Sequence, residues 1–179
     1  AEMLAERFHM DEDLLAVLNP EADFGAAGTG VVVALPGPAK PGPAVAYVIA
    51  DKTRPQVLGY DAENRLIVSY PATIGSEALP SPSGTHAVNA IATDAAYYYR
   101  PDVNFQQGDN TEALTIPPGP NNPIGTTWID LTEPTYGIHG TPEPARIDKT
   151  NSHGCIRLTN WDAEELAGLV SEGVPVEFR

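Results

Sequence analysis

Cys155 is the single cysteine of a 179-residue chain, and it stands in Thr150-Asn151-Ser152-His153-Gly154-Cys155-Ile156-Arg157-Leu158. A cysteine kept only for packing belongs in an apolar run, whereas this one follows Ser, His and Gly. Gly154 lets the chain turn tightly and brings backbone N–H groups beside the sulfur, the donors that hold an oxyanion when a thiolate attacks a carbonyl. His139 lies sixteen residues upstream, in Tyr136-Gly137-Ile138-His139-Gly140-Thr141. An imidazole brought against the thiol accepts its proton and raises the thiolate fraction, the pairing used for acyl transfer. Between His139 and Leu158, two acids (Glu143, Asp148) are set against three bases (Arg146, Lys149, Arg157). That local excess of positive charge favours thiolate over thiol and attracts a substrate carboxylate. His139, His153 and Cys155 are also zinc-ligand types, so a His₂Cys centre is the competing chemistry. A structural zinc site wants four ligands at paired spacing, and a metal leaves the glycine turn without a purpose. No metal and no cofactor is therefore expected, and His9 and His86 are expected to be ordinary surface or core residues.

The elements that must position these residues are mostly strands. Tyr47-Val48-Ile49, residues 56–60 and 66–70, Thr85 to Ile91, and residues 127–131 are short runs of strand type. Asp61-Ala62-Glu63-Asn64 supplies a hairpin turn between the second and third. Residues 94–126 are dense in Tyr, Pro, Gly and Asn without periodicity, as in a lid or binding loop. Asn160 is expected to cap a helix with an apolar face of Ala163, Leu166, Ala167 and Val170, ending at Gly173. Val174 to Phe178 then reads as a last strand, placed at an edge by its Pro.

Upstream, Leu4 and Phe8 share a helical face, and Asp11 can cap a second helix bearing Leu14, Val17 and Leu18. Val31-Val32-Val33 reads as a short strand. The Pro- and Gly-rich stretch 36–43 is a stiff linker, which divides the chain into residues 1–35 and 44–179.

Composition closes off other classes. The net charge of −14 argues against a nucleic-acid partner. The longest apolar run, Ala44 to Ala50, is far short of the roughly 20 residues that span a bilayer. A hydrophobic content of 42% suffices for a core, and 16 Gly with 18 Pro fit a loop-rich, mainly β protein.

Ser152-His153-Gly154-Cys155-Ile156-Arg157, preceded by His139, resembles the signature of the L,D-transpeptidase (YkuD) family of peptidoglycan cross-linking enzymes. Residues 71–75, 82–85, 116–125, 137–141 and 158–163 are similar to its Gram-negative branch, so the likeness covers the chain from about residue 44 onward. Residues 1–35 resemble the later part of a LysM glycan-binding module whose first strand is missing. The resemblance implies a β-sandwich with a Cys-bearing loop, a lid that includes Tyr97-Tyr98-Tyr99 and one C-terminal helix, preceded by a small α/β LysM-like segment.

It further implies that Cys155 is the nucleophile and His139 its base, with His139 oriented by the backbone carbonyl of Gly140. The amides of Gly154 and Cys155, with His153, would form the oxyanion hole. Ser152, Arg157, Tyr136 and Trp128 would contact substrate or support the Cys loop. The expected substrate is a peptidoglycan tetrapeptide stem, cleaved between diaminopimelate and D-alanine through a thioester and passed to an amine. Water as acceptor makes the protein an L,D-carboxypeptidase. A catalytically silent wall-binding module and, least favoured, a zinc peptidase compete with both. Carbapenems are expected to acylate Cys155, and the location implied is the periplasm or cell envelope, with any export signal upstream of Ala1.

Overall fold

The structure is a computed structural model that describes residues 1–8, 10–34, 42–75, 80–102, 110–150, 152 and 154–179. It divides into two compact units, Ala1–Pro41 and Gly42–Arg179. His9 and linker residues 36–41 lie outside the described residues.

The first unit holds α1 (Glu2–Arg7) and α2 (Glu12–Leu18). Asp11 caps α2 as its position predicts, accepting from the Leu14 N–H at 3.0 Å. The strand expected at Val31–Val33 does not form; this stretch has no strand partner among the described residues. The Asn19 carboxamide occupies the partner's place, accepting from the Val32 N–H at 2.6 Å and donating to the Val32 carbonyl at 2.8 Å. One side chain thus satisfies both backbone groups that a neighbouring strand would have met.

In the second unit, β1 (Tyr47–Asp51), β2 (Gln56–Tyr60), β3 (Leu66–Pro71), β4 (Gly84–Thr93), β7 (Thr127–Leu131), β8 (Gly137–His139), β9 (Ile156–Arg157) and β10 (Pro175–Phe178) form one sheet. Its order is β3-β2-β1-β10-β4-β7-β8-β9. β5 (Tyr97–Tyr99) and β6 (Leu114–Ile116) pair separately within the predicted lid region. Along β7, Thr127, Ile129 and Leu131 are buried while Trp128 and Asp130 alternate to the other face.

The sheet curls until its ends meet. β4 pairs β10 through residues 84–87 and β7 through residues 88–93, with a register shift between Val88 and Ala90 that bends the strand from one half to the other. At the seam, Thr73 and Arg157 exchange N–H···O bonds of 2.9 Å in both directions. β9, although only two residues long, is therefore paired on one side by β8 and on the other by Thr73. Val48, Val57, Ile129, Ile138, Ile156, Leu158 and Val176 fill the core, closed by Ala163, Leu166 and Val170 at α3 (Asn160–Leu169).

Three expectations change. β10 lies between β1 and β4 instead of at an edge. Its Pro175 is the first residue of the strand, where a missing N–H interrupts the ladder least. α3 ends at Leu169, ahead of Gly173, which turns at φ +87°. The cap of α3 is Thr159, whose hydroxyl accepts from the Asp162 N–H at 3.1 Å, so the Asn160 side chain is released for other contacts.

Candidate active site

Cys155 and His139 open onto one cavity of about 870 Å³. Thr135, Ser152 and Arg157 line it, with Trp128 beside His139, and so do Tyr97, Tyr98 and Tyr99 of β5 and Leu114 and Ile116 of β6. The predicted lid segment thus faces the predicted chemistry.

Ser152 braces the turn that presents Cys155. Its hydroxyl accepts from the Gly154 N–H at 3.1 Å and donates to the Cys155 carbonyl. Ser81 ties the same turn to the neighbouring chain, donating to the Gly154 carbonyl at 2.6 Å and accepting from the Gly75 N–H at 3.0 Å. Gly154 sits at φ +114°, and a Cβ there would stand 2.5 Å from Cε1 of Tyr136. Tyr136 therefore supports the loop, and only glycine fits beside it.

Commitment of the Gly154 amide to Ser152 removes it from the expected oxyanion hole. The Cys155 amide has no such partner among the described residues, and His153 lies outside them. A donor not foreseen from sequence is Gly137, whose N–H, at the start of β8, points to the Cys155 sulfur. The pairing of Ile129 with Ile138 fixes that direction, because it uses the groups facing β7 and leaves the Gly137 amide toward the Cys loop. The one signal in the sequence is the glycine itself: a Cβ at Gly137 would lie 2.6 Å from the Trp128 ring.

His139 is buried between fixed neighbours. Its Nδ1 hydrogen-bonds the Gly140 carbonyl at 2.7 Å, and since a carbonyl can only accept, Nδ1 donates and Nε2 is left as the basic nitrogen. Trp128 stacks on the imidazole at 5.4 Å between centroids and donates from Nε1 to Asp130 at 3.2 Å. Asp130 in turn accepts from Asn89 Nδ2 at 2.7 Å. The thiol's own described partner is the Thr135 carbonyl at 3.7 Å; Thr135 holds φ +72°, a strained value for a β-branched residue, which aims that carbonyl at the sulfur.

Burial pushes the His139 imidazolium down to about 4, with the nearby Arg157 adding in the same direction and the Gly140 bond opposing. Burial also pushes the Cys155 thiol up, outweighing the Gly137 amide and Arg157, which pull it down; Asp130 adds to the rise. The positive surroundings expected to generate thiolate are thus present but are overruled by desolvation. At neutral pH these shifts leave the imidazole uncharged and the thiol protonated.

Arg157 lines the cavity while its backbone closes the sheet seam. His86 stands apart, 3.4 Å from Glu133 and edge-on to Phe178. Among the described residues no three His, Cys, Asp or Glu side chains converge as a metal site would require.

The family model for the L,D-transpeptidase catalytic domain, YkuD, matches residues 45–178. The YkuD protein of Bacillus licheniformis, which is named as an L,D-transpeptidase, is 30% identical over 177 residues, covering 99% of this chain and 92% of that protein. An L,D-transpeptidase from Mycobacterium smegmatis superposes with a TM-score of 0.60 at 21% identity, over 76% of this chain and 59% of that one. L,D-transpeptidase 3 of Mycobacterium tuberculosis, solved with a faropenem-derived adduct, gives a TM-score of 0.60 at 19% identity, over 76% and 60%. The chain thus spans about three-fifths of those solved chains, and at such identities the likeness is one of fold. The cysteine-bearing signature, the curled sheet around it and the match along nearly the whole second unit converge: the chain belongs to the YkuD family of L,D-transpeptidase catalytic domains and is an enzyme of that kind.

Proposed function

We propose that the second unit cleaves the bond between meso-diaminopimelate and the terminal D-alanine of a peptidoglycan tetrapeptide stem and transfers the acyl group to an amine. The observation that carries this is the pair Cys155 and His139 on one cavity, with His139 fixed through Gly140 so that Nε2 is its free base. Cys155 Sγ attacks the L-centre carbonyl while its proton passes to Nε2. The developing oxyanion is met by the Cys155 amide, while the Gly137 amide steadies the sulfur as it gives up its proton. The C–N bond breaks, D-alanine leaves with the proton from His139, and a thioester remains. The side-chain amine of a second stem attacks it, losing a proton to His139, and a 3→3 cross-link forms as the thiol is restored. A lipoprotein lysine can take the amine's place, and attack by water instead gives L,D-carboxypeptidase activity.

Mass analysis of products from purified disaccharide-tetrapeptide tests the assignment. Cross-linked dimer with released D-alanine is expected, and tripeptide alone marks the carboxypeptidase. Cys155→Ala should release no D-alanine while keeping the fold; release by that variant removes Cys155 as nucleophile. Imipenem, a carbapenem, should add covalently to Cys155, and a zinc peptidase would instead lose activity to chelators.

Such a substrate places the protein in the periplasm or cell envelope. No helix of the described residues is long and apolar enough to cross a membrane. Within the family, we place the chain in the Gram-negative branch on residues 71–75, 82–85, 116–125, 137–141 and 158–163, although relatives matched along nearly the whole chain are from the Gram-positive genus Bacillus. Residues 1–35 remain a LysM-like wall-binding candidate on their two helices alone, and retention of the Cys155→Ala protein on sacculi, lost when residues 1–41 are removed, is the outcome expected of it.

A further inference from the structure

Asn160 is buried at the first turn of α3, and its side chain faces the site instead of the helix end. Its Oδ1 accepts from the Thr126 N–H and the Thr141 N–H, both at 3.1 Å, and its Nδ2 donates to the Pro120 carbonyl at 3.4 Å. Two glycines make room for it: a Cβ at Gly125 would stand 1.8 Å from Oδ1, and one at Gly140 would stand 2.1 Å away. The Thr141 N–H and the Gly140 carbonyl belong to the same planar peptide unit. That peptide is therefore held at one end by Asn160 Oδ1 and at the other by His139 Nδ1, at 2.7 Å.

We infer that Asn160 is a positioning residue for the base, setting the orientation and basicity of His139 through the Gly140–Thr141 peptide. The inference rests on His139 serving Cys155 as proposed above. An acceptor on the peptide N–H polarises the amide and makes its carbonyl a better acceptor for Nδ1–H, which raises the basicity of Nε2. It also fixes the peptide plane, and with it the imidazole that Trp128 stacks upon. The charged or titratable groups around His139 are Arg157 and Cys155 from the Cys loop and β9, and Asp130 from β7 behind Trp128. Glu164 of α3 is held away by Thr126 Oγ1.

The test is the rate of Cys155 alkylation by iodoacetamide from pH 4 to 10, followed by intact-protein mass spectrometry. Asn160→Ala should alkylate about tenfold or more slowly than wild type at pH 7, and the two rates should converge at alkaline pH, where the thiol ionises without a base. Asn160→Asp keeps both amides paired and adds a negative charge that stabilises the imidazolium. It should stay within about threefold of wild type at pH 7 with the acid limb of its profile moved to higher pH. A folded Asn160→Ala protein, judged by circular dichroism, that alkylates like wild type at every pH overturns the inference. So does an Asn160→Asp acid limb that coincides with wild type, and that limb decides alone if Asn160→Ala does not fold. Alkylation needs no peptidoglycan, so failure of wild type to process tetrapeptide sinks the substrate assignment and leaves this result standing.

Discussion

As the proposed base, His139 must be basic enough to take the thiol proton, yet it is buried where a charged imidazole is costly. Because its pKa is lowered to about 4, it stays unprotonated well below the usual histidine range. Acylation of Cys155 by imipenem should therefore hold its rate from pH 7 down to about 5 and fall only near 4, as stopped-time mass spectrometry can follow. Loss of rate already at pH 6.5 would contradict the burial effect. Asp130 acts in the opposite sense on the thiol, since its charge helps raise the Cys155 pKa. Asp130→Asn keeps an acceptor for Trp128 Nε1 and removes that charge, so the alkaline limb of Cys155 alkylation should move to lower pH. At this scale Cys155 and His139 stood out in the sequence by side-chain type and immediate neighbours, whereas Ser152 and the Gly140 carbonyl entered only through the family resemblance. Gly137 and Asn160 were not legible in their roles. The first acquires its role from strand register, and the second was hidden by a plausible capping role that Thr159 in fact performs.

Short elements do the positioning. β9 has two residues and β8 three, too few to show a period, whereas β2 and β7 alternate over five and were readable from residue type. The interior place of β10 was concealed by Pro175, whose position at the strand start only the register reveals. Ile156 is fully buried between β8 and the core, so Ile156→Ala should cost about 2–5 kcal/mol in urea unfolding. Since Cys155 precedes it directly, imipenem acylation should slow under conditions where circular dichroism still reports a folded protein. Gly154→Ala forces both φ +114° and a clash with Tyr136. A loss on the order of 1–3 kcal/mol is expected, and acylation should fall further than in a Gly168→Ala control, where a Cβ meets nothing within 4 Å.

Across the whole molecule, burial of a neutral histidine links stability to pH. The unfolded chain takes up the His139 proton near 6.5 and the folded protein only near 4, so stability falls as pH drops through that window and is level below it. The size is on the order of 3 kcal/mol, and His139→Gln should flatten the slope of Tm against pH between 6.5 and 4. All of the sheet core belongs to Gly42–Arg179, so that fragment alone should fold and take up imipenem at the rate of the full chain. The curled closure at Thr73 and Arg157 has a further consequence. The cysteine loop is fixed by residues 73, 74 and 81, some seventy to eighty-five positions earlier, and by Gly137, and such distant pairings are slow to close. Until the seam zips, Cys155 is an ordinary thiol without its aligned amide, its braced turn or His139 on the same cavity. Acylation of this cysteine would therefore double as a receipt for completed topology, and a half-folded chain carries a thiol that has not yet been armed.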